Sequence, residues 1–299
     1  MTISQDFNDW MKRVQSQMED ALTTYLPAIA ELPVRLHEAM RYAVLDGGKR
    51  VRPLLVHAAG DLFDADPVML SRAAAAVEMI HAYSLVHDDM PCMDDDELRR
   101  GKPTVHVKYD EATALLVGDA LQSQAFLVLS DGECNVAPSQ RLAMVRELAH
   151  ASGSLGMCGG QAIDLESVGL KLALDALEQM HRMKTGALLR VSVLLGALAG
   201  KELSMAEVDA LNAYAKAIGL AFQVVDDVLD ATADSATLGK TAGKDAADNK
   251  PTYVSILGLE ESKALAEQLR REAHEALAPF ADKARRLREI ADLIVQRKA

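Results

Sequence analysis

The sequence predicts an all-α protein. Three observations carry this. Alanine and leucine dominate a chain that is 49% hydrophobic but only 4% aromatic, a composition suited to close-packed helices rather than sheets. Apolar residues recur mostly at three- and four-residue spacing, the period of one helix face. No long alternating run of the kind a half-buried strand needs is present.

Breakers mark the elements in order. Gly47-Gly48 ends an early helix, and Pro53 suits the first turn of the next. Pro67 is expected in a short turn. Asp131-Gly132 through Pro138 reads as a loop, Gly153 to Gly160 as a glycine-rich helix junction, and Gly200-Lys201 as a turn. Ala231 to Asn249 is small and polar, with Gly239 and Gly243, and is expected to be a mobile loop. Pro251 and a last pair of charged amphipathic helices follow, ending in Arg297-Lys298. Ten or more helices result. No change in composition cuts the 299 residues, so a single domain over 1–299 is the simplest expectation.

The net charge of −12 excludes nucleic acid as a natural partner, since a phosphate backbone demands a basic face. Cys92, Cys134 and Cys158 are odd in number and lack metal-ligand spacing, which fits a reduced, cytoplasmic protein. The stretch from Met1 to Val14 has early acids and no apolar core, so no signal peptide is expected. The apolar stretch at Val191 to Gly200 is preceded by Arg190 and is too short for a bilayer. No stable membrane association is expected.

Two aspartate-rich clusters dominate the chemistry. The first holds Asp88, Asp89, Asp94, Asp95, Asp96 and Glu97; the second holds Gln223, Asp226, Asp227 and Asp230. They lie 138 positions apart (226 minus 88), each in apolar, helix-forming sequence. Crowded carboxylates repel and resist desolvation unless a cation neutralises them. Hard oxygen donors suit magnesium, which keeps waters and shares its shell with phosphate oxygens. A clamp on a phosphorylated substrate, through magnesium and between two helices, is the expectation. In the second cluster Gln223, Asp227 and Asp230 fall at i, i+4, i+7 on one helix face, and no Lys or Arg partner stands nearby. In the first, Asp88 and Asp94 are about 120° out of phase on an ideal helix. They converge only if the helix breaks, and Pro91 supplies the break. His81, Ser84 and Asp88 share a face upstream. The EF-hand pattern of alternating acids, Gly and closing Glu is absent.

The basic motifs are weaker singly. Gly47-Gly48-Lys49-Arg50-Val51-Arg52-Pro53 places Lys49 and Arg52 by a helix N-terminus, where a diphosphate is favoured. A basic surface loop explains the same residues equally well. Arg99 and Arg100 form a basic turn after the acids, for which a salt-bridge patch is the bland reading. Lys184 in Met183-Lys184-Thr185-Gly186 would by default snorkel, Lys240 and Lys250 would by default be solvated, and Gly159-Gly160-Gln161 with Asp164 would be close helix packing.

Taken together and in order, GGKRVRP, DDMPCMDDDELRRGKPT, GGQAIDL, KTG and QVVDDVLD resemble the trans-isoprenyl diphosphate synthases, with the bacterial farnesyl diphosphate synthases the nearest branch. The resemblance runs from about Tyr42 to the end. It implies an antiparallel helical bundle around a deep central cavity, a homodimer, and condensation of an allylic diphosphate with isopentenyl diphosphate. It implies magnesium, three ions per site, with manganese a possible substitute. Asp88, Asp94 and Asp226 resemble the principal ligands, with Asp89, Asp227 and Asp230 supporting. Arg99, Lys184, Lys240 and Lys250 resemble the groups that hold the allylic diphosphate. Gly48, Lys49, Arg52, His81 and Arg100 resemble those that hold isopentenyl diphosphate. Thr185 and Gln223 stand where the family steadies the allylic cation, and Lys184 and Lys240 count with them as catalytic. Tyr83 and Ser84, five and four residues before Asp88, stand where the family sets chain length. A bulky Tyr83 as cavity floor implies a C15 product, with C20 or C10 the alternative. Glu97 and Val225 depart from the commonest pattern without touching an expected ligand.

The chemistry agrees. Breaking the allylic C–O bond leaves a carbocation and a diphosphate, which cations stabilise in a dry cavity. No protein nucleophile is required, and no Ser-His-Asp or Cys-His set stands out. A class I terpene cyclase would leave Lys49, Arg52 and Arg100 without purpose. A non-catalytic partner subunit would be expected to lose an aspartate cluster. A calcium-buffering protein leaves the basic motifs unexplained.

Overall fold

The computed structural model describes residues 4–45, 47–170, 172–232 and 251–297. Among them the fold is all-α, apart from one antiparallel pair of two-residue strands, Leu98–Arg99 and Lys102–Pro103. The chain divides into two compact units, Ser4–Val145 with Leu195–Lys201, and Arg146–Leu194 with Glu202–Ala299.

The first unit holds α1 (Gln5–Tyr25), α2 (Val34–Val44), α3 (Val51–Leu62), α4 (Pro67–Asp88), α5 (Val105–Lys108) and α6 (Glu111–Ser130). Ser4 caps α1 by accepting the Phe7 N–H, a contact whose loss costs about 1 kcal/mol. The buried side of α1 reads Phe7, Trp10, Val14, Met18, Ala21 and Leu22, which is the three-and-four spacing of the sequence. Pro67 opens α4 rather than lying in a turn, because its missing N–H costs nothing at the first helical position. Asp66 caps it by accepting the Met69 N–H. Ala73 to Ala76 are fully buried on α4, and such small residues let neighbouring helices approach closely. α6 packs along α4, and Gly118 leaves room there for the His87 ring. By length and apolar composition α6 passes for a membrane-crossing helix, although part of it is buried inside the protein.

The second unit holds α8 (Met157–Glu166), α9 (Leu174–His181), a π-helical turn (Arg182–Gly186), α11 (Met205–Thr232), α12 (Tyr253–Leu257), α13 (Leu259–Ala276) and α14 (Arg285–Gln296). The unit boundaries fall inside α7 (Pro138–Ser152) and α10 (Ala187–Leu198). α11 is the 28-residue spine, packed along α13 and touching α14, α12 and the π-turn. Tyr214, fully buried on α11, donates its hydroxyl to Leu287 O at 2.6 Å. Thr252 and Ser255 form a reciprocal capping box that starts α12.

Candidate active site

In the first unit, α4 ends at Asp88 and the chain turns back through Pro91. The Asp94 N–H donates to Asp88 O at 2.9 Å, and the Asp96 N–H to Asp89 O at 3.1 Å. The helix break predicted between the two aspartates is therefore present, and it sets Asp94 beside Asp88. Both residues are half-buried. Asp89 instead turns inward, 3% exposed, and accepts from Arg99 Nε at 2.9 and 2.8 Å and from Nη2 at 2.5 Å. Burial pushes its carboxyl up, and the Arg99 pair works against that. Asp89 and Arg99, expected on metal and diphosphate respectively, hold each other in this structure.

The basic corner is in the same unit. Gly48 has φ 98°, and a Cβ there would meet the Arg100 guanidinium at 2.8–3.0 Å. Arg100 Nη1 donates to Gly47 O at 3.0 Å. These glycines are thus the seat of Arg100. Arg50 points inward, donating to Glu78 at 2.6 Å, to Glu19 at 2.5 Å and to Val44 O at 2.7 Å. Of the three basic residues of GGKRVRP, the middle one is structural, while Lys49 is exposed and Arg52 half-buried. His81 on α4 is driven well below its ordinary pKa by burial, and further by Arg52, Arg100, Arg99 and Arg50. It is therefore a neutral donor-acceptor in a field of cations. A small cavity of about 60 Å³ lies here, its lining including Tyr42, Glu78, His81, Arg99, Arg100 and Lys102. Tyr83 is buried on α4, 8% exposed, edge-on to His87 at 5.8 Å between centroids. Ser84 Oγ donates to His81 O at 2.9 Å.

In the second unit, Lys184 and Thr185 sit in the π-turn, an irregularity frequent at functional sites. Lys184 does not snorkel: its Nζ pairs with Asp164 Oδ2 on α8 at 2.5 Å. Gly160, one turn earlier on α8, lies against the Lys184 backbone, where a Cβ would overlap it. A hydrogen-bond chain then crosses three elements. Thr185 Oγ1 donates to Gln223 Oε1 at 3.4 Å, Gln223 Nε2 to Asp227 Oδ1 at 3.2 Å, and the Tyr253 N–H to Asp227 Oδ2 at 2.8 Å. Asp227 and Asp230 are buried, whereas the Asp226 side chain is 40% exposed. The second cluster has a basic partner after all. Arg297 Nη2 pairs with Asp226 Oδ1 at 2.5 Å, donates to Phe222 O at 2.8 Å, and its guanidinium lies 4.0 Å from the Phe222 ring centroid.

Sequence reasoning passed over Arg297, Tyr253 and Glu78. Arg297 meets Asp226 across 71 positions, so no local pattern pointed to it. Asp164, read with Gly159-Gly160-Gln161 as close helix packing, is the ion-pair partner of Lys184. Lys240 and Lys250 lie outside the described residues. Among the described residues no three His, Cys, Asp or Glu side chains gather to hold a metal. Asp88 with Asp94 in the first unit, and Asp226 in the second, are each hard donors of the kind magnesium takes, since it needs few protein carboxylates and completes its shell with water and phosphate oxygens.

The family model for polyprenyl synthetase matches residues 33–290. The chain belongs to the polyprenyl synthetase family. It is 47% identical over 296 residues to a farnesyl diphosphate synthase of Escherichia coli, covering 98% of this chain and 99% of that one. An FPP/GFPP synthase from Zymomonas mobilis, solved in apo form, superposes with a TM-score of 0.88 at 43% identity, covering 97% and 99% of the two chains. A geranyltransferase from Helicobacter pylori, complexed with magnesium and isoprenyl diphosphate, superposes with a TM-score of 0.84 at 32% identity over 98% of each chain. The all-helical architecture is the one these synthases share.

Proposed function

We propose that this chain is a magnesium-dependent short-chain trans-prenyltransferase. It joins isopentenyl diphosphate to dimethylallyl and then geranyl diphosphate, and stops at farnesyl diphosphate. The observation that carries the reading is the basic corner formed by Arg100, Gly48 and His81. An enzyme that only ionised an allylic diphosphate would have no use for a second anion site. The full-length likeness to synthases of this product supports the same conclusion.

Each residue then has a task. Asp88, Asp94, Asp226 and Asp230 are the carboxylates that would hold magnesium, with Asp89 and Asp227 buttressing them through Arg99, Gln223 and Tyr253. Magnesium, when bound, supplies Lewis-acid neutralisation of the departing diphosphate. Lys184 adds a positive charge to that leaving group, and Asp164 keeps the ammonium aimed meanwhile. Lys240, Lys250 and Arg99 are proposed for the same diphosphate. Thr185 Oγ1 and Gln223 Oε1 set oxygen dipoles toward the allylic cation. Lys49, Arg52, Arg100 and neutral His81 hold isopentenyl diphosphate, whose double bond attacks the cation; the last proton leaves to the released diphosphate. Tyr83 forms the floor that ends growth.

The exposed side of α6 carries Leu115, Leu116 and Leu127, exposed by 49, 53 and 58%. We read it as the face for a second copy, giving a cytoplasmic homodimer rather than a membrane helix. Changing Leu116 and Leu127 to Lys should convert dimer to monomer in light scattering; an unchanged dimer mass would reject this face.

The direct test is a chain-length-resolved product assay with Mg²⁺, isopentenyl diphosphate and dimethylallyl diphosphate. A dominant C15 product is expected. Longer or shorter products would keep the enzyme class and overturn the floor. No metal-dependent condensation would overturn the enzyme class.

A further inference from the structure

Arg100 is held in a costly place. It lies at φ 53° and Gly101 at φ 74°, the mirror-image turn that closes a two-residue hairpin. A left-handed arginine persists only if its surroundings over-determine it, and strands of two residues give no independent stability. Something outside the hairpin must therefore fix it. The two strands leave the turn at Leu98–Arg99 and Lys102–Pro103. The first is tied by Arg99 to Asp89. The second is tied by Tyr42 on α2, whose hydroxyl donates to Pro103 O at 2.7 Å. The same ring carries a second contact. Lys108 Nζ, at the end of α5 directly after the hairpin, lies 3.6 Å from the Tyr42 centroid. Tyr109 packs edge-on to Tyr42 at 5.9 Å and donates to Glu38 on α2 at 3.1 Å. Tyr42 also lines the cavity that Arg100 and His81 line.

We propose that Tyr42 is the positioning residue for Arg100: its hydroxyl and its Lys108-capped ring clamp the hairpin so that the guanidinium stands ready for the non-allylic diphosphate. Tyr42 acts through Arg100 and does not touch substrate. The inference rests on the assignment of Arg100 to isopentenyl diphosphate.

The test is calorimetric titration of isopentenyl diphosphate, without allylic partner, into the wild-type chain, Tyr42→Phe, Arg100→Gln and the double variant. Losing one hydrogen bond from the clamp should weaken Tyr42→Phe about fivefold. Arg100→Gln should weaken binding more, and the double variant should bind no worse than Arg100→Gln alone, because the tyrosine has then nothing left to position. In steady state, Tyr42→Phe should raise KM for isopentenyl diphosphate and leave KM for the allylic substrate and kcat within about twofold, a split that general loosening of the fold would not produce. Unchanged affinity in Tyr42→Phe beside a weakened Arg100→Gln would sink the clamp alone. Additive losses in the double variant would sink it too, by showing that Tyr42 acts elsewhere. An Arg100→Gln variant that binds normally would instead remove the Arg100 assignment, and the clamp with it.

Discussion

At the scale of single residues, the basic motif before α3 divides its labour. Arg50 and Glu78 have side chains only 2% and 4% exposed, and Glu19 backs them. A buried pair adds little beyond what apolar residues would, but breaking it strands a charge, at about 3 kcal/mol or more. Glu78→Ala should therefore lower the unfolding free energy by about 3 kcal/mol in urea titrations; a loss under 1 kcal/mol would mean Glu19 suffices. Nothing in the heptapeptide GGKRVRP distinguishes Arg50 from Lys49 or Arg52, because their fates depend on Glu78 and Arg100, which are distant in sequence. Tyr83 raises a different question. If its ring is the floor, Tyr83→Ala should move the main product beyond C15 in the chain-length assay. Unchanged length would reduce Tyr83 to a core aromatic against His87.

At the scale of elements, most of the fold was legible because helices announce themselves by period and punctuation. The break at Pro91 follows from local chemistry, and the glycine-rich junction holds as far as Gly156, whereas Gly159 and Gly160 lie inside α8 and Pro67, expected in a turn, starts α4 behind its Asp66 cap. The π-turn was not legible, since one extra residue in a helical turn leaves no mark on an apolar run. Its cause is visible only in the packing of α8, where Gly160 lets the Lys184 backbone come close. Gly160→Ala would force the two apart, with an overpacking cost of about 1–3 kcal/mol. It should lower both melting temperature and kcat, and the kcat loss should exceed what stability explains, because Lys184 and Thr185 move together. Full activity in a folded Gly160→Ala protein would show that the turn tolerates displacement. The hairpin under Arg100 was equally hidden: two-residue strands leave no periodic signal, although Arg99 and Arg100 did read as a basic turn.

At the scale of the whole molecule, the aspartate clusters were readable in type and order, but their environments were not. Only the folded chain separates the half-buried Asp226 from the buried Asp227 next to it, or brings Arg297 to the former. The same holds for the histidines, whose burial makes the protein sensitive to acid. His57 and His181 are lowered to about 4 by burial, and His81 is lowered well below its ordinary value. At pH 7 these groups are neutral both folded and unfolded, so they contribute nothing. Below about 6.5 the unfolded chain takes up protons that the folded chain refuses, which favours unfolding. Stability should thus fall as pH drops from about 6.5 toward 4, by about 1.4 kcal/mol per pH unit for each histidine, or about 3 kcal/mol for each of His57 and His181 by pH 4. Urea midpoints at constant m-value between pH 7.5 and 5 would measure the slope. His57→Gln should remove one histidine's share of it without altering stability's trend above pH 7. A flat profile across this window would mean that these rings titrate in the native protein, and a slope untouched by His57→Gln would mean that His57 does.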